Sequence, residues 1–383
     1  MEQKITANMG IKQANRTNIY NLLHGEGALS KQAIVGRLHL CLPTVTQNIA
    51  QLQEEGLVEE VGFLSNTGGR RAKTFDVVAG ARTAIGLDIT RNHITAVAVD
   101  LRGTITASVR LRCRFERTDA YYRRLGAVVE QIIQEAGLRA EHIQGVGIGL
   151  PALIAGDNQS VFYGKILEIT GVTGAEFARY IPYPTALFND ANAAGFAELW
   201  INRNLSNAFY VMLSNNIGGS VVINNQIYSG EHLHSGEIGH LTIVPDGKPC
   251  YCGKKGCVDT YCAATVLSSL TDGDLAAFFA LLNRGAPEAG ARWDTYLDHL
   301  AVTIANLYML FDCPIILGGY VGAYIGDYLE ELKRRIDQYN IFGDRPDYLR
   351  VCCYKQEAIA AGAASAKLVH KNSIARLKRK SLS

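Results

Sequence analysis

The sequence predicts an α/β chain with two parts. A small helical head with a basic hairpin comes first, and an internally duplicated, two-lobed α/β fold with a cleft between its halves follows. Three observations carry this expectation. Two helix-like segments joined by a short turn precede a glycine-hinged loop bearing Arg70 and Arg71. One order of strands and turns then occurs twice after residue 84. Within the second copy, His240, Cys250, Cys252 and Cys257 fall inside eighteen positions, a grouping that suits a metal.

At 383 residues the chain is too long for one compact core. We expect a head over 1–80, a first lobe over 81–195 and a second lobe over 196–383. An apolar content of 48% with 19% charged residues is that of an ordinary globular protein. No apolar run approaches the length of a membrane span, and the amino terminus lacks the apolar stretch of a secretory signal. Nine cysteines, an odd number, fit a reducing compartment, so a cytoplasmic location without membrane partners is expected. The net charge of +2 says little, since residues 1–80 hold eight Lys/Arg against seven Asp/Glu. Clustering says more: three of those cations lie in the window 70–73 and can meet a phosphate backbone together.

In the head, Asn18 to Leu23 reads as a short apolar helix. Ser30 is a good N-cap for a second helix ending at Leu38, with Ala33, Ile34 and Leu38 at helical spacing. After the turn His39–Cys41 a third helix starts at Leu42, with Pro43 suited to its first turn and Gly56 to its C-terminal cap. Val45, Ile49 and Leu52 form its inner stripe, so Thr44, Gln47, Asn48 and Gln51 are expected to face outward. Such a face, uncharged before Glu54, suits base edges in a major groove. Strands over 57–63 and 73–78 flank the loop Ser65–Ala72, a wing that offers Arg70 and Arg71 to phosphates or to a narrow minor groove. The expected DNA contacts are Thr44, Thr46, Gln47, Asn48, Gln51, Arg70, Arg71 and Lys73. A helical protein-interaction module with an incidental hairpin is the alternative.

The first lobe is expected to open with three strands over 84–90, 93–100 and 104–111, joined by turns at Arg91-Asn92 and Leu101–Gly103. A helix over about 119–137 leads to a buried strand over 145–150. A further strand, 185–188, ends at Asn189-Asp190 and opens a helix over 191–202. The second copy runs through strands over 208–214, 219–223 and 226–228, the last two flanking the turn Asn224-Asn225. Helices, a strand over 314–319 and a helix to about 339 complete it. Ligands of such folds bind at strand ends in the cleft. The tail Lys371–Ser383 reads as a solvated, frayed end.

Three thiolates and one imidazole make a closed tetrahedral shell of the structural zinc type, so one Zn2+ per chain is expected, with a chance cluster of buried thiols as the alternative. Gly253 and Gly256 let the chain turn around it.

Several motifs, taken together, resemble one family. They are Thr67-Gly-Gly-Arg-Arg71 in the wing, Gly147-Ile-Gly-Leu-Pro151, Asn189-Asp-Ala-Asn-Ala-Ala-Gly195, Gly236-Glu-Ile-Gly-His240 and Cys250-Tyr-Cys-Gly-Lys-Lys-Gly-Cys257. Nearly the whole chain is covered by the resemblance, which is to the ROK family of sugar-responsive repressors and sugar kinases. It implies an N-terminal winged helix-turn-helix before a two-lobed actin-like ATPase-domain (ribonuclease H-like repeat) fold from residue 84 to about 370. It also implies sugar contacts from Asn189, Asp190, Glu237, His240 and Asp259. Asp190 also fits a plain helix N-cap, and Glu237 a solvated loop acid. Two roles are implied for His240, with one ring nitrogen on zinc and the other toward a ligand hydroxyl.

The departures from the family pattern are informative. Kinase members carry Asp-x-Gly-Gly-Thr on the first strand-turn, where this chain has Asp88-Ile-Thr-Arg-Asn92. Their second phosphate loop, Gly-Thr-Gly-Ile-Gly, is Ser214-Asn-Asn-Ile-Gly-Gly219 here. Without those glycines a nest of N–H groups for phosphate is hard to form, so no enzyme activity is expected. Asp259 stands for a glutamate, one methylene shorter. In the helix-turn-helix, His39 replaces a common turn glycine and Cys41 a capping serine.

The leading expectation is a sugar-responsive repressor of a carbohydrate operon, binding double-stranded operator DNA as a homodimer or homotetramer. A sugar or sugar-phosphate effector in the cleft would bias the spacing of paired heads. An ATP-dependent sugar kinase with an accessory head, and a repressor or scaffold blind to ligands, are the alternatives.

Overall fold

The computed structural model describes residues 2–63, 72–202, 205–339, 341 and 346–369, with backbone alone at 2–12 and 369. Arg70, Arg71 and the tail Lys371–Ser383 lie outside the described residues.

The amino end folds as three helices over a small sheet: α1 (Glu2–Glu26), β1 (Leu29–Ser30), α2 (Lys31–Leu38), α3 (Leu42–Glu54), β2 (Val58–Phe63) and β3 (Lys73–Val77). α1 is far longer than the segment 18–23 the sequence marks, because its upstream residues break the apolar spacing on which that expectation rests. Its last turns bury Ile19, Tyr20 and Leu23 against Ile34, Val45, Ile49 and Leu52. Ser30 caps α2, its hydroxyl accepting from Ala33 N at 3.2 Å. Cys41 gives α3 no side-chain cap; its thiol instead lies 3.0 Å from Thr44 Oγ1. His39 adopts the left-handed φ of 52° that a turn glycine would take easily. The strands pair antiparallel in the order β1–β3–β2.

One expectation fails here. Asn48 does not face outward: it is buried, and its Nδ2 donates to Thr44 O at 2.8 Å. Positions 45, 48, 49 and 52 form the usual broad helix stripe, and Asn48 falls within it.

The first lobe runs β4 (Thr83–Ile89), β5 (His93–Asp100), β6 (Ile105–Arg112), α4 (Asp119–Glu135) and β7 (Ile143–Leu150). A hairpin of β8 (Leu153–Ile154) and β9 (Val161–Tyr163) follows, then α5 (Gly174–Phe177), β10 (Thr185–Asn189) and α6 (Asp190–Ile201). The second lobe has β11 (Ala208–Leu213), β12 (Ile217–Ile223) and β13 (Gln226–Tyr228). It continues with α7 (Asp259–Cys262), α8 (Ala264–Ser268), α9 (Leu275–Asn283), α10 (Pro287–Phe311), β14 (Ile315–Gly318), α11 (Gly319–Ile325), α12 (Leu329–Asp337) and β15 (Leu349–Val351). The chain ends in α13 (Ala358–Val369).

Both sheets read third–second–first–fourth–fifth: β6–β5–β4–β7–β10 and β13–β12–β11–β14–β15. In each, the first three strands are antiparallel and the last two are parallel to the first. The duplication expected from sequence is present in both sheets, with β15, a strand the sequence did not mark, completing the second. Asn224 and Asn225 take φ of 52° and 61°, which supplies the tight turn between β12 and β13.

α13, grouped by sequence with the second lobe, packs on the first. A Cβ on Gly86 of β4 would lie 1.7 Å from Ala360 O, and one on Gly147 of β7 2.0 Å from Ala363 O. Gly362 presses α13 equally close to Ala193 O in α6. Backbone contact of this kind needs glycine on one side, and sequence order does not reveal it.

The head is seated on the same lobe. His24 of α1 is buried, bonds Leu101 O through Nε2 and meets Trp200 of α6 edge-on at 4.9 Å between ring centroids. Arg102, in the same β5–β6 turn, pairs with Asp76 of β3 and donates to His24 O at 3.2 Å. Tyr354 donates its hydroxyl to Gly103 O from the approach to α13.

Candidate ligand cleft and metal centre

Asn189 ends β10 and Asp190 starts α6, at the carboxyl edge of the first sheet. The cap of α6 is Asn189 and not Asp190. Its Oδ1 accepts from Asn192 N at 2.9 Å and its Nδ2 donates to Ala152 O at 3.1 Å, so both ends of the amide serve the fold. Asp190 accepts from Ala191 N at 2.8 Å. Burial pushes its carboxyl up to about 7, and the like charges of Asp88 and Glu237 act in the same direction.

Asp88, which the sequence marks only as the start of a strand-turn lacking its glycines, is a further acid beside the cleft. It is the penultimate residue of β4 and only 5% exposed. Burial pushes it up to about 7 against the pull of Arg110. One of its carboxylate oxygens has no hydrogen-bond partner among the described residues. The signal for it in the sequence is an aspartate inside an otherwise apolar strand.

β12 carries the other wall. A Cβ on Gly218 would lie 3.0 Å from that of Ala191, one on Gly236 2.2 Å from Gly219 O, and one on Gly239 2.3 Å from Ile217 O. The segment Gly236–His240 thus lies directly on β12, across from the start of α6, and brings Glu237 toward Asp190. Glu237 is exposed, as a solvated loop acid would be, yet the groups around it desolvate its carboxyl enough to raise it, partly offset by His240 and His234. Asp259, expected as a ligand contact, spends Oδ1 on Ile217 N at 2.6 Å and so secures the β11–β12 turn.

The side chains of His240, Cys250, Cys252 and Cys257 offer ligand atoms that all lie within 4.8 Å of one another. Cys252 and Cys257 sulfurs are 3.7 Å apart, and Cys250 Sγ lies 3.8 Å from His240 Nδ1. A tetrahedron with Zn–S of about 2.3 Å has S···S edges of about 3.8 Å, so the donor set and its spacing suit zinc. Burial pushes the Cys257 thiol up to about 12, a bias toward the neutral form that a bound cation reverses. Gly256, at φ +74°, lets the loop pass Val244 O where a Cβ would come within 1.7 Å. His240 Nε2 faces Tyr251 Oη at 3.3 Å.

The two hairpin turns beside the cleft are closed by side chains. Thr90 pairs with His93 through both backbone and hydroxyl, at 3.0 to 3.2 Å, and the carbonyls of Arg91 and Asn92 accept from Phe115 and Cys113. Ser214 O accepts from Ala264 N at 2.8 Å. None of residues 90–92 or 214–217 has a positive φ.

On the head, Thr46, Gln47 and Gln51 are exposed and Thr44 half-buried. Lys73 is exposed but pairs with Glu60 at 2.9 Å. Among the described residues no single helix is long and apolar enough to cross a membrane.

Residues 84–371 match the model of the ROK family. A putative xylose repressor of Caldicellulosiruptor sp. (strain Rt8B.4) is 27% identical over 349 residues, covering 85% of this chain and 87% of its own. The DNA-binding transcriptional dual regulator NagC of Escherichia coli K12 is 26% identical over 333 residues, with 81% of each chain covered. A solved ROK family transcriptional regulator, a homologue of the E. coli MLC protein, covers 94% of this chain and 96% of its own at 20% identity with a TM-score of 0.72, a likeness of fold. A ROK hexokinase from Thermus thermophilus covers 74% of this chain and 97% of its own at 27% identity with a TM-score of 0.60.

Proposed function

The chain belongs to the ROK family, and from that premise we propose that it is a cytoplasmic, sugar-responsive DNA-binding repressor of a carbohydrate-utilisation operon. One observation carries the reading: a head with an exposed Thr46/Gln47/Gln51 face is fused to a cleft that keeps its acids while both neighbouring turns are closed. The head is a winged helix in this reading, with α3 entering a major groove and the β2–β3 loop reaching phosphates through Arg70 and Arg71. Relatives named as xylose and N-acetylglucosamine repressors support it.

Asp190, Glu237 and His240 would accept and donate hydrogen bonds to sugar hydroxyls, where charge-assisted bonds are the strong ones. His240 and the three cysteines would hold one structural zinc, which fixes the imidazole beside Glu237. Paired heads must meet grooves about 34 Å apart, so a homodimer or homotetramer is part of the proposal. The effector acts through its differential affinity for two head spacings.

Mobility-shift assays with DNA from upstream of the operon, with and without sugars, test this. A shift whose strength changes with one sugar is expected; no shift at moderate salt defeats the reading. A second reading, an ATP-dependent sugar kinase, draws on Asp190 and on the hexokinase likeness. With both turns closed we expect no ATP-dependent phosphorylation across a hexose panel in a coupled assay.

A further inference from the structure

We propose that Tyr251 is a displaceable plug on His240, held from the opposite lobe by Lys165, so that ligand entry and loosening of the lobes are one event. This rests on the sugar-sensing reading above and names how that site is regulated.

Tyr251 lies between Cys250 and Cys252, so its backbone is fixed by the metal loop while its side chain is free to choose a partner. Its hydroxyl lies 3.3 Å from His240 Nε2, and the rings meet edge-on at 5.3 Å. His240 Nδ1 faces Cys250 Sγ. With Nδ1 committed to a metal, Nε2 carries the ring hydrogen and donates it to Tyr251 Oη. A ligand hydroxyl that takes this bond must first remove the tyrosine. Tyr251 is 47% exposed, so the ring swings outward without a large loss of burial.

Lys165 ties this plug to the other lobe. It follows β9, and its Nζ donates to Tyr251 O at 3.1 Å while lying 6.0 Å from the ring centroid. Arg91, also of the first lobe, steadies that loop by donating to Ile166 O at 2.6 Å. Departure of the ring strips the bridge of one of its two contacts. The lobes are then held less firmly on the side where the ligand has entered. A hydroxyl group at the position of Oη is the chemistry selected, so sugars lacking that hydroxyl gain nothing by displacing the plug.

The test is calorimetry with D-xylose, N-acetylglucosamine and D-glucose on wild type, Tyr251→Phe and Lys165→Met at equal zinc content. Tyr251→Phe should bind whichever sugar the wild type binds about 3- to 10-fold more tightly, the worth of one neutral hydrogen bond that no longer competes. Lys165→Met should move affinity the same way by a smaller factor. Unchanged or weaker binding in Tyr251→Phe overturns the plug. If no sugar binds the wild type, the sugar reading fails for those three, and the plug is judged on the free protein. Amide hydrogen exchange over 161–172 and 248–257 should then quicken in Lys165→Met, and unchanged exchange overturns the proposal.

Discussion

The two lobes share a strand order and part company at their first hairpin. In the first lobe the turn is closed from within by Thr90, and the penultimate residue of the strand beneath it is the buried Asp88. In the second the turn is closed from outside by Asp259, and the penultimate residue is Met212. Two positions earlier, Gly86 admits the backbone of α13 in one lobe, where Tyr210 fills the space in the other. Topology repeats because main-chain pairing and apolar alternation repeat. Chemistry does not, since one wall supplies the acids Asp88 and Asp190 and the other supplies the metal loop.

The most severe way to break this asymmetry is at the metal. Sites of this type contribute on the order of 10–16 kcal/mol in small zinc domains. Cys257→Ser should abolish stoichiometric zinc by elemental analysis and unfold the loop 239–259. Its melting temperature should fall further than that of any single substitution in the first lobe.

Next comes acidity. Asp88 and Asp190 are held near 7 when folded, against an ordinary value of 3.8. Between those values the folded chain binds more protons than the unfolded one, so stability is full at low pH and declines as pH rises through about 7. A tenfold change in proton affinity corresponds to about 1.4 kcal/mol. Asp88→Asn should flatten the decline in denaturant midpoint between pH 5 and pH 8; parallel curves for the two proteins would refute the burial argument.

A smaller effect sharpens the contrast at the helix contact. Gly86→Ala forces a methyl into Ala360 O and should cost about 1–3 kcal/mol by chemical denaturation. The loss should appear as early exchange of α13 amides, with the second sheet unaffected. Smallest is Thr90→Val, which removes one hydroxyl bond pair and should cost about 1 kcal/mol without altering zinc content.

Much of this is legible in sequence where local rules decide. The repeated succession of strands and tight turns, the Ser30 cap and the cluster of His240 with three cysteines each follow from residues close together in the chain. Asn48 misleads because polarity suggests exposure, although its position falls on the apolar stripe and its amide is satisfied within its own helix. Chain order groups α13 with the second lobe, whereas its place is set by glycines more than two hundred residues upstream. Motif position makes Asp259 a ligand contact and does not reveal that one of its carboxylate oxygens accepts from Ile217 N. Long-range contacts of this sort leave no periodic trace.

α6 begins with Asp190 and reaches its last turn at Trp200, which rests on His24 of the head. At about 1.5 Å per residue its twelve residues make a stiff strut some 18 Å long. No slack linker intervenes along that path. A tilt of this strut would carry its acid end and the end under the imidazole together, and α13 with it, because the two helix backbones meet at Gly362 and Ala193.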